Sequence, residues 1–168
     1  MKIKRLIVGE LATNCYLLIS GKEMAVIDPG GESNKILKEI ENSKAKMKYI
    51  INTHNHFDHT SANEELSKET KAKILIDLKD GDEIKIGTRD LPSVLKVIHT
   101  PGHTKESICL KGKDFIFTGD TLFKDGHGRT DLAGGSAEEM EKSLKKLAKI
   151  IKPGMTVYPG HGEVVTKN

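Results

Sequence analysis

Short apolar runs bounded by turn residues punctuate the chain. Residues 3–8, 15–19 and 24–28 have the length and composition of three strands, and Pro29-Gly30-Gly31 closes the third with a turn. The period then changes. Ser33 is placed as an N-cap, with Ile36, Leu37 and Ile40 following at the spacing of one helical face. Residues 47–52 read as a buried strand, and a polar helix is expected over 62–68. Strands follow at 72–76, 83–86, 93–99, 107–110 and 114–118, the first two separated by the Asp80-Gly81-Asp82 turn. The last helix carries the strongest periodicity. Ser136 and Glu139 form a capping box, Met140, Leu144, Leu147, Ala148 and Ile151 recur on one face, and Pro153-Gly154 stops the helix before a strand at 155–158. Strands followed by a helix in each half predict an α+β protein: two mixed β-sheets packed face to face with helices outside.

Composition narrows the class. The 168 residues are read as one domain, 1–168, long enough to bury a sizeable core. Basic residues number 27 against 24 acidic ones, and the basic ones are scattered lysines without a dense block, so no nucleic-acid partner is expected. Lys142 to Lys146 read as the polar face of the last helix. Cys15 and Cys109 form neither a disulfide framework nor a CxxC pair, which favours a reducing compartment, and each reads as a small buried hydrophobe. Glu10 interrupts the N-terminal apolar run well short of the ~7–15 residues of a signal peptide or the ~20 of a membrane span. The expected location is the cytoplasm, with no membrane partner.

The chemistry is concentrated in Thr53-His54-Asn55-His56-Phe57-Asp58-His59, directly after an apolar run. No folding need groups three imidazoles and a carboxylate so tightly, whereas both suit divalent cations. Three further groups recur downstream: His103 in Thr100-Pro101-Gly102-His103-Thr104, Asp120 after Phe115-Ile116-Phe117-Thr118-Gly119, and His161 in Tyr158-Pro159-Gly160-His161-Gly162. Each follows a strand-like run and has Gly or Pro beside it, which lets the backbone turn sharply towards a shared centre. The local reading is a two-metal hydrolase.

HxHxDH, then PGHT, TGD and PGHG in that order, resembles the metallo-β-lactamase fold superfamily. Thr13-Asn14-Cys15-Tyr16-Leu17 and the segment from Gly128-Arg129-Thr130-Asp131 to Ser136 are similar to the small glyoxalase II-like thioester hydrolases (hydroxyacylglutathione hydrolase-like). The resemblance implies a four-layer αββα sandwich. It also implies two divalent ions, zinc first, with iron(II) and manganese(II) as alternatives. His54, His56 and His103 would hold one ion; Asp58, His59 and His161 the other; Asp120 would bridge them. Asp28 matches an early aspartate that supports the metal loop without ligating. The implied reaction is cleavage of a thioester, S-lactoylglutathione-like or another acyl thioester, by a metal-bridging hydroxide. Asp58 and Asp120 are the catalytic carboxylates, Asp58 orienting the nucleophile or relaying its proton. A residual positive charge at such a centre favours an anionic substrate. His127 and Arg129 are the candidate substrate contacts; Arg129 and Asp131 are also expected to pair and brace the loop after Asp120. His99 is read as a packed or supporting imidazole.

Two departures bear on the substrate. The chain stops soon after His161, without the helical glutathione-binding domain of full-length glyoxalase II enzymes, so glutathione specificity does not carry over. Ile74 to Asp77 also runs straight into Leu78 to Asp82, where relatives insert a helical segment. An open site with loose substrate preference follows. A mono-iron persulfide dioxygenase-like enzyme is the alternative, since that branch shares the GRTD-type segment, and a metal-dependent nuclease is a weaker one. A β-lactamase is disfavoured by the aspartate at 120, and a non-enzymatic metal module by the open coordination.

Overall fold

The computed structural model of the protein describes residues 1–87 and 93–168. They form two compact units, one of residues 1–52, 56–78 and 84–94, the other of 53–55, 79–83 and 95–168. In the first unit β1 (Lys2–Val8), β2 (Thr13–Ser20), β3 (Glu23–Ile27), β4 (Lys46–Ile51) and β5 (Lys73–Leu75) make one sheet in chain order. The first three strands pair antiparallel through short turns. The β3–β4 and β4–β5 pairs are parallel. Parallel neighbours need a long crossover, and helices supply it. The first crossover carries α1 (Ser33–Ser43); the second carries α2 (Phe57–Thr60) and α3 (Asn63–Thr70). Ile36 and Ile40 of α1, with Ala62 and Leu66, pack on Val8, Cys15, Leu17, Met24, Val26 and Ile50. Tyr16 and Leu18, which alternate with these residues along β2, are buried too, so β2 is covered on both faces.

Ser33 does not cap α1. The capping place falls to Glu32, which is left-handed (φ 49°) and makes no side-chain cap bond. Ser33 is the first helical residue, and its hydroxyl donates to Glu65 Oε2 of α3 at 2.5 Å. A charged acceptor on the neighbouring helix is a strong partner for the hydroxyl proton.

The second sheet has the order β11-β10-β9-β8-β7-β6. Its strands are β6 (Glu83–Ile86), β7 (Ser93–His99), β8 (Ile108–Lys111), β9 (Phe115–Gly119), β10 (Thr156–Pro159) and β11 (Val165–Thr166). Here β9 and β10 are the parallel pair, and α4 (Ala137–Ile150) lies in the crossover between them. Ser136 caps α4 by accepting from Glu139 N at 3.3 Å. The return arm of the expected box is replaced: Ser136 N donates to Gly102 O, and the Glu139 carboxylate pairs with Lys142. The expected apolar face of α4 splits. Met140 and Leu147 are buried, Leu147 among Ile98, Cys109, Ile116 and Val157, whereas Leu144 and Ile151 are half-buried and Ala148 is exposed. Full burial of a leucine such as Leu147 contributes roughly 1.5–3 kcal/mol. The two mixed sheets and their helices match the expected elements. The one-turn α2 and two-residue β11 are additional, being too short to leave a periodic signature.

Candidate metal centre

The second unit contributes four of the candidate donors. Asp120 follows β9 and His161 follows β10, and these strands are parallel neighbours whose register shifts by one residue near their ends, bringing Pro159 opposite Gly119. Gly160 N donates to Gly119 O at 2.8 Å, which continues the pairing to the donors themselves. Two residues 41 positions apart thus leave adjacent strands on the same edge. Asp120 Oδ2 lies 3.6 Å from His161 Nε2 and 3.6 Å from His103 Nε2. His54 brings a ring nitrogen within 4.8 Å of donor atoms of both Asp120 and His103, its ring meeting that of His103 edge to face. Thr53 is tied beside this edge by Ile108 N donating to its carbonyl at 2.8 Å.

These separations exceed hydrogen-bond lengths. Two ligands each ~2.1 Å from one tetrahedral cation lie about 3.4 Å apart, so the spacing is that of neighbouring ligands around an ion. The donor set is nitrogen and carboxylate oxygen throughout, with no thiolate, as an open catalytic cation site prefers. The residues therefore fit a divalent metal. The rings are also oriented from behind: His103 Nδ1 contacts Arg129 O at 2.7 Å and His54 Nδ1 contacts Thr53 Oγ1 at 3.2 Å. Such partners leave the other ring nitrogen to face a metal. Gly128 closes this side. Its amide donates to Asp120 O at 2.8 Å, and a Cβ there would lie 2.4 Å from that oxygen and 3.0 Å from His103 Nδ1.

The first unit contributes His56, Asp58 and His59. The parallel β3–β4 pair carries Asp28 to the end of β4, where Asp28 N donates to Ile51 O at 3.0 Å. Asp28 is buried and left-handed (φ 52°), a conformation aspartate tolerates better than most residues. Its Oδ2 lies 3.2 Å from His59 Nδ1, leaving His59 Nε2 3.5 Å from Asp58 Oδ2. Asp28 therefore stands behind a donor rather than among the donors. The α2 turn sets Asp58 and His59 in place, with His59 N and Thr60 Oγ1 both donating to His56 O. Pro29-Gly30 passes so close that a Cβ on Gly30 would meet Asp58 O at 1.6 Å.

Two supports were not anticipated. Thr13 Oγ1 donates to Asp58 Oδ2 at 3.3 Å, and Asn52 Nδ2 donates to His59 O at 2.7 Å while accepting from Asn63. The Asn directly before the His run was the one available signal; Thr13 left none. Arg129 and Asp131 form the expected pair, bidentate at 2.8 Å and exposed, which holds the Asp131 carboxyl down at about 2. Arg129 meets the donor set through its carbonyl, not its guanidinium. His127 is exposed and borders the same cavity as His161. His99 is neither packed nor behind a donor: it is exposed, with Nε2 on Lys105 O at 2.8 Å, because its alternate strand position points to solvent.

The family model for the metallo-β-lactamase superfamily matches residues 8–85 and 76–161. The chain belongs to that superfamily. Its His/Asp donor set makes it a metal-dependent hydrolase of the metallo-β-lactamase superfamily, whose fold of two mixed sheets with flanking helices it shares. Among similar proteins, the probable polyketide biosynthesis zinc-dependent hydrolase PksB of Bacillus subtilis (strain 168) is 32% identical over 161 residues, spanning 88% of this chain and 72% of that one. The BLEG-1 B3 metallo-β-lactamase superposes with a TM-score of 0.89 at 26% identity, over 98% of this chain and 94% of that one. ETHE1 from Myxococcus xanthus superposes with a TM-score of 0.88 at 29% identity, over 99% and 80%. No helix among the described residues is long and apolar enough to cross a membrane.

Proposed function

We propose that this metallo-β-lactamase superfamily member hydrolyses an acyl thioester at a centre of two divalent cations. The observation that carries the reading is one carboxylate oxygen, Asp120 Oδ2, standing 3.6 Å from both His103 Nε2 and His161 Nε2. A carboxylate oxygen standing at this distance from two imidazole nitrogens suits a shared ligand. His54, His56 and His103 would complete one cation and Asp58, His59 and His161 the other, zinc being the first choice and iron(II) or manganese(II) the alternatives. PksB, a probable zinc-dependent hydrolase, supports zinc. The Gly128-Arg129-Thr130-Asp131 segment supports a thioester over other acyl groups, and the excess of positive charge at such a centre supports an anionic one.

The cations, when bound, supply Lewis acidity and hydroxide at neutral pH. The protein supplies position. Thr13 holds Asp58 on one oxygen, leaving the carboxylate to accept the proton of the attacking water. Water adds to the thioester carbonyl, the C–S bond breaks, and acid and thiol depart. No side-chain nucleophile is needed, and Cys15 and Cys109 are buried and inert. Two free thiols also suit a cytoplasmic setting. With no helix between β5 and β6, we expect an open site and a broad acyl preference.

The test is thiol release from S-D-lactoylglutathione and simpler acyl thioesters by protein reconstituted separately with zinc, iron and manganese. Turnover well above that of Asp120→Ala is expected; its absence with two cations bound overturns the reading. The likeness to ETHE1 is compatible with the alternative, a mono-iron persulfide dioxygenase-like enzyme. Oxygen uptake on a glutathione persulfide with one iron per chain would favour it. A chromogenic cephalosporin, prompted by the likeness to BLEG-1, and a phosphodiester complete the panel.

A further inference from the structure

Two adjoining cavities in the second unit bear on which acyl group is accepted. The first, about 390 Å³, is bordered by His161, His127, Lys124, Glu163 and the ring of Phe123. The second, about 300 Å³, is mainly apolar, with Leu144, Leu147 and Ala148 of α4 and its C-cap Ile151 on one side and Val157 and Val165 on the other. Phe123, Lys124 and Glu163 line both. The shared wall is therefore one aromatic ring and one ion pair. The ring of Phe123 stands edge to face on His161, centroids 6.2 Å apart. The pair, Lys124 Nζ to Glu163 Oε2 at 2.6 Å, has both side chains well exposed, and such pairs hold little against competing contacts. The apolar cavity thus begins one ring's width from a candidate metal ligand.

The apolar lining is a second stripe on α4. Met140 and Leu147 are buried, Leu147 also bordering the cavity, while Leu144 and Ala148, at positions i and i+4, line it together with the C-cap residue Ile151, which packs against the core as well. Leu144 is half-buried and Ala148 exposed, and a ligand entering from the His161 side would cover both. A cavity of about 300 Å³ takes about ten groups of methylene size, at roughly 30 Å³ each.

Resting on the thioester reading, we propose that the groove between α4 and the β10–β11 edge binds the alkyl tail of a medium-chain acyl thioester. The carbonyl would sit at the donor set, the tail would pass Phe123, and the carrier would remain in solvent. Leu144, Ala148 and Ile151 are then specificity-determining residues, and the preferred acyl group is an unbranched chain of roughly ten carbons.

The experiment has two arms. In the first, kcat/KM of the metal-loaded protein is measured for acetyl to dodecanoyl thioesters below their micellar concentrations. It is expected to rise about two- to fourfold per methylene from butanoyl and to level near decanoyl. Ala148→Phe, at an exposed position that fills the groove, is expected to lower the decanoyl-to-acetyl ratio about tenfold or more. In the second arm, decanoate binding to metal-free protein is followed by displacement of a fluorescent fatty acid, with saturable binding in the wild type and loss in Ala148→Phe. A flat chain-length profile, an unchanged ratio in the variant, or no decanoate binding overturns the groove. So does a wild-type dimer in sedimentation that Ala148→Phe dissociates, since a second copy would then cover this face. If no thioester of any length is cleaved, the thioester reading fails, and the decanoate arm alone decides the groove.

Discussion

Gly128→Ala isolates a single steric cause behind the geometry of the donor set. The φ of Gly128 lies outside the left-handed region, so alanine meets no backbone penalty there and the whole effect comes from its Cβ. That atom would lie 2.4 Å from Asp120 O, 3.0 Å from Asp120 Cβ and 3.0 Å from His103 Nδ1. Ordinary contact begins near 3.4 Å, so the loop must open by about 1 Å at the carbonyl. No rotamer change relieves this, because the first obstacle is backbone oxygen accepting from Gly128's own amide. Overpacking of this kind costs about 1–3 kcal/mol. At about 2–4 °C per kcal/mol for a chain of this size, metal-free protein should melt roughly 2–12 °C lower. Asp120 and the Arg129 carbonyl behind His103 both move, so metal affinity should fall about 10–100-fold. Scanning fluorimetry on chelator-treated protein reads the first effect, and competition with a chromogenic chelator reads the second. A variant matching the wild type in both would refute the claim that Gly128 is required for space and not for flexibility.

Thr13→Val keeps the shape of a buried side chain and removes the donor to Asp58; it should cost about 1 kcal/mol and lower metal affinity about tenfold, measured by the same competition. Ser136→Ala should cost about 1 kcal/mol in urea unfolding through loss of the α4 cap, and a drop in metal affinity of similar weight would show that α4 does more than pack. Burial pushes the Cys109 thiol up from 9.0 to about 11 and raises Cys15 as well. Both folded values are raised, so this part of the stability is complete below pH ~9 and is lost as pH rises through the folded value near 11. Native protein at pH 8 should therefore not react with a disulfide reagent until urea unfolds it; rapid reaction without urea would contradict the burial.

The metal-binding run was legible because His54, His56, Asp58 and His59 are crowded into one loop, and chemistry that local needs no fold to be recognised. The strands were legible for a similar reason, since short apolar runs between Gly and Pro carry their own boundaries. The groups holding the donors were hidden. Thr13 lies 45 positions from the Asp58 it bonds, and nothing in a strand-starting threonine announces a carboxylate. Ser33 looked like a cap because helix starts commonly use serine. Its hydroxyl was instead drawn to Glu65, a charged acceptor that exists only once α1 and α3 lie side by side. His99 sits four positions before His103, yet strand alternation sends its ring to solvent.

By itself, the sequence determined which residue types are present, where the chain turns, and that imidazoles and carboxylates are spaced for cations. Only the tertiary structure decided which of them share a neighbourhood. Asp120 and His161 meet because β9 and β10 are parallel neighbours, with a register shift at Pro159, so their ends emerge on one edge. The apolar face of α4 was likewise a single stripe in the sequence. Packing buried Met140 and Leu147 and left Leu144 and Ala148 on the groove side, with Ile151 touching both core and groove. Periodicity specifies a helix face, but which part of that face is covered depends on the volume of neighbours contributed by distant parts of the chain.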